Sequence, residues 1–164
     1  MSEANVVIEL VEGKAGRAAF VDTGRDFAAR EPHWVPQLRS EQLELVNPEK
    51  NPFFGHAAHQ LFVARRGDAV VGRISAHIDR LALELPRQQG FGPGAGMFGY
   101  FDAADETVAH ALLRALTPAL QALGARAALD QRVHATCSRR VHAAHKGGDH
   151  RRSARLRRAR DVWW

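Results

Sequence analysis

The sequence predicts an α/β domain in which helices pack on a sheet centred on an antiparallel hairpin. Two β-rich runs carry the hairpin: residues 60–65 and Ala69–Asp79, joined by Arg66-Gly67-Asp68, a tight turn. A helix follows from Val108, Leu112, Leu116, Leu120 and Leu123, which recur at near-helical spacing. The third observation is size: 164 residues and 18.1 kDa, 45% hydrophobic and 25% charged, which suits one soluble domain with a single core.

Taken in order, Val6–Leu10 is β-branched and reads as a first strand. Residues 14–30 read as a helix with a stripe of Ala18, Val21, Phe27 and Ala28, weakened by Gly24 and stopped by Pro32. Trp34-Val35-Pro36 makes an extended exit. Residues 41–46 form a short helix with Ser40 as its expected N-cap, and Asn47-Pro48 stops it. Residues 51–56 are a turn with two adjacent aromatics, Phe53 and Phe54. On the second hairpin strand, alternation places Val70, Ile74, Ala76 and Ile78 on one face. Val71, Arg73, Ser75, His77 and Asp79 fall on the other.

Residues 81–96 read as a connection ending in a glycine-rich run, and residues 97–101 as a further strand. Asp105 opens the leucine-striped helix, with Glu106 complementing the dipole. Pro118 costs about 3 kcal/mol in a helix interior, so a kink or a break is expected there, the break with Thr117 capping a second short helix. Gly124 ends the run, and residues 125–129 read as the start of one more strand. Beyond Leu129 apolar periodicity is lost, and burial there does not offset an ordering entropy of about 1–2 kcal/mol per residue.

The net charge of +5 divides unevenly: residues 126–164 hold ten Arg and one Lys against three Asp, leaving 12 basic and 15 acidic side chains before them. No apolar run of membrane-spanning length and no secretory signal are visible, and the single Cys137 suits a reducing cytosol. A cytoplasmic location is therefore expected. The basic end would bind polyanions by counterion release, but it lacks a nucleic-acid recognition motif, so no specific nucleic-acid partner is expected. Cys137, His142, His145 and His150 match no common zinc spacing, and no metal is expected. No Walker lysine follows the glycine-rich run, and no Nudix signature is present.

Several segments together resemble a known family. These are residues 31–38 (EPHWVPQL), 51–57 (NPFFGHA), 61–65 (LFVAR), 71–80 (VGRISAHIDR) and 92–99 (GPGAGMFG). In that order they resemble a bacterial GNAT-like, N-acetyltransferase-like family over about residues 6–125. The resemblance implies a mixed, mainly antiparallel sheet flanked by helices, C-terminally incomplete. On this reading residues 1–125 are a partial GNAT-like domain, and residues 126–164 are an Arg/His-rich tail, disordered or derived from a frameshift. It implies transfer of an acyl group from acetyl-CoA or another acyl-CoA to a small-molecule amine. Backbone groups of Phe98, Gly99, Phe101 and Ala103 would stand at the acyl-CoA site.

The family's pyrophosphate loop is basic and glycine-rich. Here it is Asp102-Ala103-Ala104-Asp105-Glu106, whose three carboxylates repel phosphates. Arg73, Ser75, His77 and Asp79 make the most reactive-looking strand face, alternatively a solvated or hydrogen-bonded scaffold. His77 is the candidate general base, and Tyr100, the one tyrosine, the candidate proton donor or else a core residue. The tyrosine that most GNAT enzymes use falls on a later helix. The expected activity is therefore that of a truncated acyltransferase, weak or absent. The alternatives are a non-catalytic remnant of that fold and a nucleic-acid binder acting through the basic tail. Acceptor and oligomeric state stay open.

Overall fold

The structure is a computed structural model and describes residues 5–86 and 93–125. Its sheet has four strands in the order β1-β2-β3-β4, every neighbouring pair antiparallel. These are β1 (Val6–Leu10), β2 (Ala57–Arg66), β3 (Ala69–Asp79) and β4 (Met97–Ala103). The helices are α1 (Gly13–Ala28), α2 (Arg39–Leu45), α3 (Arg80–Glu84) and α4 (Glu106–Ala122), with a 3₁₀ turn at Pro52–Gly55. The α/β class and the order of elements are as the sequence predicts.

Two layers cover the two faces of the sheet. The leucine stripe of α4 (Leu112, Leu116 and Leu120) packs with Val108 on Ala64, Ile74, Ala76, Ile78 and Phe101. On the opposite face Phe20 and Val21 of α1 meet Leu61, Val63 and Val46. Hence α1 buries Phe20, Val21, Thr23, Gly24 and Phe27, a stripe that shares Val21 and Phe27 with the predicted one and leaves Ala18 and Ala28 half-buried.

The hairpin forms with Gly67 at φ +61°, a left-handed turn conformation that glycine adopts without steric cost. Its register departs from simple alternation. Arg65 pairs with Val70 but Ala64 pairs with Gly72, so Val71 is an extra residue on β3. This bulge reverses the expected faces of two residues: Val70 joins the α1 side and Val71 joins the α4 side. A second irregularity lies between β3 and β4, where Arg73 pairs with Asp102 and Ser75 with Gly99. Tyr100 and Phe101 thus stand against the single residue Ile74.

Three further local expectations are corrected. α2 starts one residue before Ser40, with Leu38 at the N-cap and no side-chain cap. Tertiary contacts set that start: Arg39 binds Asp22 of α1 in a two-point ion pair of 2.6 and 2.8 Å, and Arg25 donates to the Gln37 carbonyl at 2.7 Å. α4 does not break at Pro118 but runs on to Ala122. Leu112, Leu116 and Leu120 are each buried, at about 1.5–3 kcal/mol per side chain, which outweighs the proline's cost. Residues 80–84, read as connection, form α3, because the Asp79 carboxylate accepts from the Leu81 and Ala82 amides. The strand expected at 125–129 lies outside the described residues apart from Ala125. So do the tail, Cys137 with its three histidines, and Gly90 to Gly92 of the glycine-rich run.

Adjacent leucines on α4 give a test of this packing. Leu112 is fully buried and Leu113 is 37% exposed. Leu112→Ala is expected to cost about 2–5 kcal/mol in a denaturant melt, and Leu113→Ala about 0.5 kcal/mol or less.

Candidate functional site

The polar face of β3 does two kinds of work. Arg73 and Asp79, at either end of it, are engaged in structure. The Asp79 carboxylate caps α3 and also meets His56 Nδ1 at 2.9 Å. Arg73 donates from Nε to Asp102 Oδ2 at 2.7 Å and from a guanidinium nitrogen to the Phe20 carbonyl at 3.0 Å. Its guanidinium also lies 5.0 Å from the Phe20 ring and 5.3 Å from the Tyr100 ring.

Ser75 and His77, between them, face an open cleft of about 140 Å³. Leu45, Val46, Phe53, Phe54 and Leu61 form its apolar walls. Asn51, His59, Ser75, His77 and Tyr100 supply its polar groups. The sequence-predicted pair, His77 and Tyr100, is therefore brought to one cavity. The 3₁₀ turn Pro52–Gly55 supplies the aromatic wall, and the Asn51 side chain caps it by accepting from the Phe53 amide at 3.0 Å.

The bulge in β4 aims Tyr100. Strict alternation from Met97 would put Tyr100 beside Phe98, toward α4. The extra residue turns it to the α1 side, where its ring meets Phe20 edge-to-face at 5.6 Å. Tyr100 adopts φ +48°, the one non-glycine residue with positive φ among those described. Phe101 then returns to the α4 core, 6% exposed. At 37% exposure Tyr100 is neither a core tyrosine nor free in solvent.

His59 and His77 are direct cross-strand partners on β2 and β3. Phe54 stacks on the His59 ring at 4.2 Å. Burial lowers the His59 pKa, helped by the Arg17 charge and opposed by a hydrogen bond to the Val46 carbonyl. Burial likewise lowers His77 to about 4, helped by His59 and opposed by Asp79. Burial raises the Tyr100 phenol, opposed by Arg73. At neutral pH the cleft thus presents two uncharged imidazoles and an uncharged phenol. Such a set can accept a proton at one ring and donate one at another.

The backbone candidates on β4 occupy different surroundings. Phe98 pairs with Ala76 and packs on the α4 side, and Ala103 pairs with Gly72 and is buried. The Gly99 amide donates to the Ser75 hydroxyl at 3.1 Å, so this hydroxyl takes a ladder position at the bulge. Phe101 shares the bulge with Tyr100, and neither has a register partner on β3. Two of the three carboxylates at the end of β4 are paired with arginine, and Glu106 is exposed. Asp102 is held by Arg73, and Asp105 by Arg66 at 2.8 Å while it also caps α4. The Arg66 hydrogen bond, with those from the Val108 and Thr107 amides, keeps Asp105 below the usual carboxylate range. Among the described residues no group of three or more His, Cys, Asp or Glu could hold a metal ion, and no helix is long and apolar enough to cross a membrane.

Sequence reasoning missed His59, Phe53 and Phe54 as parts of the site. The turn at 51–56 was visible, but its seat against β2 was not. Uninterrupted pairing from the hairpin turn sets His59 opposite Ala76, and only the bulge at Val71 moves it opposite His77.

No protein-family model matches the chain. A protein named bacterial ceramide synthase, from Caulobacter vibrioides, is 36% identical over 124 residues, 75% of this chain and 31% of that protein. Protein YghO of Escherichia coli is 35% identical over 95 residues, 58% of this chain and 23% of that protein. The chain thus spans less than a third of the length of either relative.

The buried imidazole makes stability depend on pH. His77 carries a folded pKa of about 4 against an ordinary 6.5, so the unfolded chain binds the proton more tightly. Its contribution is complete above pH 6.5 and is lost as pH falls toward 4. Between pH 7 and pH 5 the loss due to this group is about 2 kcal/mol. Denaturant melts of the chain and of His77→Gln at both pH values are expected to show a smaller drop in the variant.

Proposed function

We propose that the described residues form an N-acyltransferase-type scaffold, similar to the GNAT fold, that serves acyl transfer from an acyl thioester such as acyl-CoA to an amine. The observation that carries this reading is the cleft itself. It joins a neutral imidazole, His77, and a neutral phenol, Tyr100, beside an irregular strand and within apolar walls. The relative's name adds chemical sense, since a ceramide is an amide of a long-chain amino alcohol and a fatty acid.

In this reading the amine nitrogen attacks the thioester carbonyl and a C–N bond forms. His77 takes the proton that leaves nitrogen. Its lowered basicity suits an N–H already acidified by bonding to the carbonyl carbon. The C–S bond then breaks, and the departing thiolate takes a proton from Tyr100; solvent at the cleft mouth takes the proton from His77 and returns one to Tyr100, so both groups end neutral. Positioning of the two reactants between the cleft's apolar walls supplies most of the gain. The amine must enter uncharged, because no carboxylate lines the cleft to pair with an ammonium.

Thermal melts with acyl-CoA thioesters of increasing chain length, followed by mass spectrometry for amide formed on a long-chain amino alcohol, test the reading. Saturating acyl-CoA, at about 100 times its dissociation constant, is expected to add about 2.7 kcal/mol. His77→Ala, folded by circular dichroism, is expected to lower amide formation by about 100-fold. Stabilisation without amide reduces the site to an acyl-binding scaffold, and neither stabilisation nor amide refutes the proposal.

A further inference from the structure

We propose that Arg73 is a positioning residue for the cleft: seated against Gly24 of α1 and fixed by Asp102, it holds Tyr100 in its left-handed backbone conformation with its ring over the cavity. This deepens the acyl-transfer reading and rests on it for its consequence in turnover, but not for the geometry.

Four observations converge on one guanidinium. It is held at 2.7 Å by Asp102, two residues beyond Tyr100 on the same strand. It donates to the Phe20 carbonyl of α1 at 3.0 Å. It lies close to both the Phe20 and Tyr100 rings, which themselves meet edge-to-face. Finally, a Cβ on Gly24 would overlap the guanidinium carbon and both its terminal nitrogens. Glycine is the poorest helix former after proline, yet it stands inside α1 at this point. The missing side chain is the space that the guanidinium fills.

A non-glycine residue in the left-handed region persists only where its surroundings over-determine it. For Tyr100 those surroundings are the Phe20 ring and the Arg73–Asp102 pair, and the Arg73 guanidinium lies against both rings. The pair is nearly closed to solvent, with side chains 11% and 5% exposed. A charge so placed is directional, because it has no water shell through which to reorient. Arg73 makes no contact with the cavity and so acts through Tyr100.

The chain has a single tyrosine, so ring-labelled tyrosine NMR and the phenolate absorbance report Tyr100 alone. Two variants are compared with the full chain. Arg73→Met removes the charge. If Arg73 holds the ring in place, Tyr100 is released to solvent, its ring signal moves to the position of free tyrosine, and its phenol pKa falls to the ordinary value near 10. If Arg73 is only a nearby charge, the ring stays against Phe20 and the pKa rises instead, which overturns the proposal. Gly24→Ala leaves every charge and every cleft side chain intact, and decides the matter should Arg73→Met fail to fold. The proposal expects the ring signal to move and the melting temperature to fall. An unchanged signal with a raised melting temperature, as helix propensity alone dictates, overturns it. On the acyl-transfer reading, Gly24→Ala also lowers kcat by about tenfold with KM for the amine within about twofold. Absence of any turnover in the unsubstituted chain defeats that reading and leaves the tyrosine signals to decide the role of Arg73.

Discussion

The buried ion pair between Arg73 and Asp102 is the constraint on which the arrangement of the α1 side depends. It joins β3 to β4 by side chains at the place where their ladder is irregular, and the same guanidinium joins both strands to α1 through the Phe20 carbonyl. A buried pair of this kind is weak evidence for stability, because desolvation cancels much of the Coulombic gain. Its consequence is specificity of arrangement. With both charges closed off from water, a displaced α1 would withdraw the Phe20 carbonyl and leave a guanidinium N–H without its acceptor. Gly24 sets how close the helix can come.

From that contact follows the division of the sheet. One face is a plain apolar core under α4, built of small and branched residues (Ala64, Ile74, Ala76) beneath a leucine stripe. The other carries polar side chains, and each is either matched or opened to the cleft. Arg73, Asp79 and Ser75 are matched, the last by the Gly99 amide, whereas His77 stays open to the cleft. Two bulges, one on each side of β3, sort them. The first sets His59 across from His77, and the second brings Tyr100 round to the same face. Bulges cluster near binding sites because one extra residue re-aims a side chain without remaking the sheet.

The elements were legible in the sequence where one periodicity dominated. The leucine stripe of α4 was plain because it buries one face with an unbroken period, and the hairpin because two β-rich runs flank a tight glycine turn. What escaped was decided by contacts between distant segments. The start of α2 answers to Asp22 on α1 rather than to Ser40. Pro118 is tolerated because leucines on either side of it are buried against the sheet. The site was half legible. His77 and Tyr100 drew notice as residue types able to move protons, but alternation cannot reveal a bulge, and the bulges bring them to one cavity with His59. Gly24 was read as a weakness in a helix, since the guanidinium that fills its place comes from a strand far along the chain.

The charge state of the cleft limits which part of a thioester can occupy it. His59 and His77 are held neutral by burial, Tyr100 stays protonated, and the remaining lining groups carry no charge. A phosphate placed there would meet no cation, and the cost of stripping its water would go uncompensated. A neutral acyl carbonyl and an apolar chain meet no such cost, since Leu45, Phe53, Phe54 and Leu61 offer them dry surface. In the acyl-transfer reading the phosphates of a CoA therefore lie outside the cleft. At the end of β4 Arg66 and Arg73 balance Asp105 and Asp102, which leaves Glu106 as the exposed carboxylate there. The same neutrality that excludes the phosphates favours the amine as its free base, the form that can attack a carbonyl.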